Sequence, residues 1–163
     1  MADPKYFFID FCKKGQLEKI KLFLERYPDV INEEIILEDG QKTKGVLEAI
    51  KNNKNEVLMF LLSYKNIEIG VNEVYCAINV GNGCAFLQLI NHPNFENNKK
   101  QFVKNVTNNI KLKEALRKLI NKINKTPNIG KVGRNKFTLT HKARNTILKL
   151  LNSKPKNNTK LRF

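Results

Sequence analysis

The side chains that could act as bases, nucleophiles or metal ligands are few: two histidines and three cysteines. His141 could serve as a general base, but no nearby serine, cysteine or acid completes a nucleophile–base arrangement. It reads as a polar residue at a helix start. Cys12, Cys76 and Cys84 contain no CxxC pair, and with His92 and His141 they do not reach a recognisable zinc-ligand spacing. They read as small buried apolar residues in a reducing compartment. Gly130-Lys131-Val132-Gly133-Arg134 has the glycines and cations of a phosphate-holding loop but lacks the Gly-Lys-Ser/Thr ending of a Walker A sequence, and it reads as a basic loop. HExxH and GxSxG are absent. The expectation is a chain without catalytic residues, metal or cofactor, and not an enzyme.

The charge is more informative. The chain of 163 residues carries a formal +15, and the excess is confined to one part. Residues 1–95 hold 11 Lys/Arg against 13 Asp/Glu, whereas residues 96–163 hold 19 Lys/Arg and only Glu96 and Glu114 as acids. A field of one sign repels itself when compact and attracts polyanions. This divides the chain into a near-neutral module over 1–95, a basic helical extension over 96–151 and a disordered basic tail over 152–163. Asn and Lys share A/T-rich codons, so part of the basicity is explicable by genome composition. That does not explain why acids vanish after Glu96. No apolar run approaches the roughly 20 residues of a membrane span, and the N-terminus lacks the pattern of a secretory signal. A cytoplasmic monomer is expected. The absence of Trp and the scarcity of Gly exclude collagen-like and propeller repeats.

The elements that must position these residues are helices in pairs. Asp3-Pro4 supplies an N-cap and a proline at the first helical position. An apolar helix follows, and Gly15 can end it in the left-handed conformation. A second helix runs from about Gln16 to Tyr27 and stops at Pro28-Asp29. The unit recurs as Gly45–Ile50, a polar turn at Lys51–Asn55 and Glu56–Leu62. It recurs again as Glu73–Ile78, a turn at Asn79–Gly83 and Cys84–Ile90. Gly15, Asn53 and Gly81 lie 38 and 28 residues apart.

This layout resembles the ankyrin repeat, most closely at Gly15–Leu24 and Asn55–Leu62. The resemblance covers about residues 5–95 in three degenerate units. It implies an all-α, helical-hairpin solenoid capped by additional C-terminal helices. The Thr-Pro-Leu-His signature is missing from every unit, and the third turn carries an extra residue. The resemblance implies a protein–protein interaction module that binds through inter-repeat loop tips and first helices, here Gln41, Lys42, Lys44, Val71 and Asn72. Short Lys/Asn-rich proteins of this type look similar to those of intracellular bacteria and large viruses, where host-directed effectors are common. As such an effector the chain would act in the host cytosol.

The C-terminal region supplies a lid and a second surface. Leu112, Leu116, Leu119, Ile120 and Ile123 form one helix stripe. Phe102, Val103, Val106 and Ile110 form an earlier stripe at a different angle, with a break near Asn108-Asn109. Residues 126–133 read as a loop, and a last helix is expected from about Thr140 to Leu151. Phe137–Leu151 could also be a decayed fourth repeat. Lys111, Lys118, Lys122 and Lys125, joined by Arg134, Lys136, Lys142 and Arg144, make a polyanion-binding surface the alternative function, with nucleic acid or an anionic membrane surface as partner. Only Phe102, Phe137 and Phe163 could stack on bases there, which disfavours sequence-reading of single strands. The favoured partner is a protein with an acidic surface.

Overall fold

Asp3 and Pro4 start the first helix as their positions predict. The structure, a computed structural model, describes residues 3–153. Helix α1 spans Pro4–Lys14, and the Asp3 carboxylate accepts from the Lys5 amide at 3.2 Å. Gly15 ends it at φ 70°, and α2 follows over Leu17–Arg26. The next pair is α3 (Gly45–Lys51) and α4 (Asn55–Leu62), and the third is α5 (Val71–Val80) and α6 (Gly83–Ile90). The molecule is predominantly helical.

The three turns are the same object. Gly15, Asn53 and Gly81 all have positive φ, at 70°, 55° and 72°. In each, the following amide bonds to the carbonyl five residues back: Gln16 to Phe11 at 3.0 Å, Lys54 to Ala49 at 2.9 Å and Asn82 to Ala77 at 2.9 Å. These are helix C-terminal bonds of the Schellman type. Asparagine tolerates the left-handed region better than most L-residues, so Asn53 can replace glycine. The second helix begins two residues after the left-handed residue in every pair. The extra residue expected in the third turn is therefore absent, because α5 extends two residues further, to Val80.

Counting from the left-handed residue, equal positions are buried in each pair. Phe8, Val46 and Val74 form one set, and Cys12, Ile50 and Ile78 a second. Ile20, Leu58 and Phe86 form a third, with no exposure. Helix α1 packs on α3, α3 on α5, and α4 on α6. A Cβ at Gly45 would lie 2.6 Å from the Phe8 ring, so the close approach of α3 to α1 needs glycine there.

Links between pairs are stapled by asparagine. After α2, a 3-10 turn (Pro28–Asn32) leads into the antiparallel hairpin β1 (Glu34–Ile36) and β2 (Lys42–Lys44), with Ile35 opposite Thr43. The link 63–70 contains no strand, and the third link is a 3-10 turn, Pro93–Asn98. Asn32 donates to the Asn66 carbonyl at 2.8 Å and accepts from the Glu68 amide at 2.9 Å. Asn94 donates to the Lys65 and Ile67 carbonyls, and Asn98 to that of Ile69 at 2.9 Å. His92 donates from Nε2 to the Leu62 carbonyl at 2.7 Å and accepts at Nδ1 from the Asn94 amide.

The chain then closes over the third pair. Helix α7 (Lys99–Asn108) and α8 (Ile110–Lys125) are separated at Asn109, whose side chain caps α8 by accepting from the Leu112 amide at 3.0 Å. Asn109 has φ −124°, so this pair lacks the left-handed turn of the other three. Leu112, Leu116, Leu119 and Ile120 are buried, and α8 packs on both α5 and α6. Ile110 does not join the earlier stripe: it starts the new helix and is 67% exposed. A loop and the hairpin β3 (Lys131–Val132) and β4 (Asn135–Lys136) follow, and β3 reaches α4. Helix α9 (His141–Asn152) packs on α7 and α8. Residues 137–151 thus hold one helix rather than a further helix pair. The tail expected over 152–163 overlaps α9 at Asn152, and its residues 154–163 lie outside the described residues.

One apolar core runs from Phe8 to Leu151. The change of charge at residue 96 is therefore not a change of packing. Every residue of α6 is buried, with α8 on one side and the loop 126–140 on another. A Cβ at Gly83 would meet Ile129 at 2.6 Å, and one at Gly130 would meet the Phe137 carbonyl oxygen at 1.9 Å. Gly130→Ala is expected to cost about 1–3 kcal/mol in urea denaturation, because backbone must move. Gly40→Ala, in open space at φ 82°, should cost about 1 kcal/mol from its dihedral alone. A Gly130→Ala protein as stable as wild type would mean that the hairpin does not close on α6 in this way.

Candidate binding surfaces

Strand β2 is bound into the stack by two buried carboxylates. The Thr43 hydroxyl donates to Glu48 at 2.7 Å, and Asn52 also donates to Glu48. The Lys44 ammonium lies 2.5 Å from Glu73, with side chains 9% and 4% exposed. Glu73 accepts in turn from the Gly70 amide at 2.8 Å, which fixes the start of α5. Lys44 is therefore not a loop-tip contact, because its charge is consumed between the hairpin and α5. Gln41 and Lys42 remain exposed, with Lys42 beside Glu34 at 3.9 Å. Val71 is half-buried as the first residue of α5, and Asn72 is exposed. Ile36, 65% exposed, and Leu37 project near the same hairpin tip. Period-two alternation along β1 is the signal that places Ile35 inward and Ile36 outward.

The first helices carry a repeated surface beside that hairpin. Two residues before each left-handed turn stand Lys13, Lys51 and Asn79, all exposed. Nine residues before it stand Tyr6 and Asn72, both exposed, with the buried Lys44 between them; five before it stand the half-buried Asp10 and Cys76, with the buried Glu48 between them. Because α1, α3 and α5 stack in order, these sets form rows across one face. Tyr6, Lys13, Lys51 and Asn79 escape motif reading, and their common offset from the turns is what reveals them. Tyr75 extends the face toward α7 by accepting from Asn105 at 2.6 Å.

The eight C-terminal cations do not converge on one patch. Lys111, Lys118 and Lys122 line an open groove of about 390 Å³ between α8 and the end of α5, with Asn79 and Glu114. Lys122 donates to the Gly81 carbonyl at 2.8 Å and so caps α5. A second groove shares Asn79 and Lys111 and adds Tyr75, Asn105 and Asn108. Lys125 is exposed in the last turn of α8. Arg134 and Lys136 are exposed on the β3–β4 hairpin, whose Asn135 contacts Met59 of α4. Lys142 and Arg144 are exposed at the start of α9. Glu96 is held below the usual carboxylate range, first by a hydrogen bond from Lys99 and then by its charge, with a smaller push from Lys142. Lys113 donates to the Ser153 carbonyl and Arg117 to that of Leu151 at 2.9 Å, so both cap α9.

The chemistry-bearing side chains are held apart. His141 is the exposed first residue of α9, behind its N-cap Thr140. Both nitrogens of His92 are engaged with backbone. Burial raises the thiols of Cys12, Cys76 and Cys84 above their ordinary values, so each favours the unreactive neutral form. Phe102 is buried and Phe137 half-buried, so neither presents a face to a base, while Phe163 lies outside the described residues.

Comparison with protein-family models, with curated proteins and with solved structures finds no match. Among the described residues, no helix is long and apolar enough to cross a membrane.

The buried pair gives a direct test of how the hairpin is held. Lys44→Met leaves Glu73 without its counter-charge and is expected to cost about 3–5 kcal/mol in chemical denaturation. Lys44→Met/Glu73→Gln should recover most of that loss, since glutamine still accepts from Gly70. Additive losses in the double variant would show that the pair is not coupled.

Proposed function

We propose that this chain is a non-enzymatic, ankyrin-like adaptor. It binds another protein across α1, α3 and α5 and the tip of the β1–β2 hairpin. The support is the repetition of one turn geometry in three stacked pairs, which sets equivalent side chains in rows. A row surface of this kind binds by many modest contacts with a few aromatic or cationic anchors. Here the anchors are Tyr6, Tyr75, Lys13 and Lys51, with Gln41, Lys42 and Asn72 alongside. The lysines favour an acidic partner and speed its approach.

The test uses partners identified with the full chain. Tyr6→Ala/Lys51→Glu/Asn79→Ala is expected to lower their affinity by roughly tenfold or more. Glu18→Ala/Glu25→Ala/Glu56→Ala, placed on the second helices, should leave it unchanged. Partners that keep full affinity for the first variant, with its helicity intact by circular dichroism, would refute the assignment.

A second reading, polyanion binding, is favoured by one observation: Lys111, Lys118 and Lys122 line one groove together with the amide of Asn79. Three phosphate contacts would give a slope of log affinity on log salt of roughly −3 for duplex DNA. Lys111→Gln/Lys118→Gln should bring that slope to roughly −1. An unchanged slope would move any duplex binding to the other cations.

A further inference from the structure

The end of the stack formed by α1 and α2 carries a groove of about 590 Å³ that the rows described above do not include. Its floor is aromatic. Phe11 meets Phe23 edge to face with centroids 5.7 Å apart, and Phe23 leans on Tyr27 at 4.9 Å. Its rims are Phe7, 48% exposed, and Leu22, 68% exposed. Among the described residues only two charged side chains line it, Lys19 and Arg26, and no acid does. Lys19 sits 5.6 Å from the centre of the Phe11 ring, and Arg26 5.6 Å from that of Tyr27. The neighbouring Glu18 is instead paired with Lys21. Two cations thus rest on rings in a region where the chain is otherwise slightly acidic.

We infer that this groove receives an amphipathic helix of another protein, with an apolar ridge and two carboxylates that meet Lys19 and Arg26. The two cations are seven residues apart on α2, which is about 10.5 Å along the axis. The occupant therefore carries its acids about two turns apart, flanking apolar residues at i, i+3 or i+4 and i+7, the pattern of helix-in-groove recognition. Localised ion pairs fit the site better than a diffuse anionic surface, because residues 3–32 set six Lys/Arg against five Asp/Glu, and Lys5, Lys14 and Lys21 are already paired with Asp3, Asp10 and Glu18, so this end offers two local cations rather than a broad positive field. A second copy of the chain docked face to face brings Lys19 and Arg26 against their own kind, which opposes association.

The test selects a display library of helical peptides on the full chain. Each enriched peptide is then measured by fluorescence anisotropy against wild type, Leu22→Glu and Lys19→Glu/Arg26→Glu, with helicity checked by circular dichroism. The expected pool combines an apolar helical ridge with acids two turns apart, and each variant weakens it roughly tenfold. Peptides with lysine in place of the two acids should regain binding to the charge-reversed chain, a gain that no loss of folding can imitate. A pool without acids, or one indifferent to both variants, would overturn the proposal. So would a dimer in analytical ultracentrifugation that Leu22→Glu abolishes, which assigns the groove to a second copy. Co-sedimentation with equimolar phosphatidylserine–phosphatidylcholine vesicles, lost in Leu22→Glu, would assign it to a membrane. None of these substitutions touches Tyr6, Lys51 or Asn79, so failure here leaves the adaptor reading standing and the converse also holds.

Discussion

An eight-residue helix with no exposed residue constrains everything around it. A single helix in a paired stack normally keeps one side in water, but α6 carries only two polar side chains, Asn82 at its cap and Gln88 within it. Both are turned inward: Asn82 donates to Ile50 and Asn55, and Gln88 contacts Asn55 and Cys84. With no charge to solvate, α6 must be enclosed. The enclosure needs α4 and α5 on one side, α8 on another and the loop carrying Gly130 across the remainder. The same demand accounts for two glycines of close approach, Gly83 under Ile129 and Gly130 under Phe137. Helices α7 to α9 are thus part of the core, although their charge sets them apart in sequence.

The basic charge of that region has two physical uses. One group sits where helices end. Lys113 and Arg117 close α9, and Lys122 closes α5, each supplying donors to carbonyls that lack an intrahelical partner. A basic residue in such a place stabilises the fold without needing an acid, which is one reason the acids can be so few. The other group, Lys111, Lys118 and Lys125 on α8 with Arg134, Lys136, Lys142 and Arg144, stays at the surface. Asparagine divides in a similar way. Asn53 and Asn128 hold left-handed backbone, Asn82 and Asn109 cap helices, and Asn32, Asn94 and Asn98 staple the links. An Asn-rich composition is therefore not mere coding bias in this chain, since the amide serves three different backbone needs.

What could be read from sequence follows from how local each signal is. Asp3-Pro4, Gly15, Gly81, the stripe through Leu112 and Leu119 and the break at Asn109 are decided within a turn or two of helix, and all were legible. The resemblance to stacked helix pairs suggested the order of the helices, and their packing follows from the burial of both helices in a pair. Lys44 was misplaced because its partner is 29 residues away and nothing near it marks the side chain as buried. The hairpin over α6 was equally hidden, since a Gly/Lys-rich loop looks solvated and its isolated apolar residues, Ile129 against Gly83 and the buried Val132, follow no helix or strand period. The candidate surfaces suffered most. A binding face is assembled from equal positions in separate helices, and the offset that aligns Lys13, Lys51 and Asn79 is visible only once the turns are known to be equivalent.

The two ends of the stack are treated differently, and the difference has an energetic direction. At the α5–α6 end the chain commits three helices and a hairpin to removing apolar surface from water. At the α1–α2 end Phe7 and Leu22 remain in water, with a loss of roughly 25 cal/mol for each Å² left uncovered. The same end could have been made polar, as the outer faces of terminal helix pairs usually are. Instead it combines an aromatic floor with two cations held on rings, which lowers their hydration before any partner arrives. A cation already partly desolvated loses less on meeting a carboxylate than one fully in water. The groove is therefore preorganised for association in both its apolar and its charged parts. A neutral apolar edge, by contrast, would stick to any exposed hydrophobic surface. Lys19 and Arg26 act in both directions, by admitting carboxylates and by repelling basic surfaces, including those of the chain's own C-terminal region.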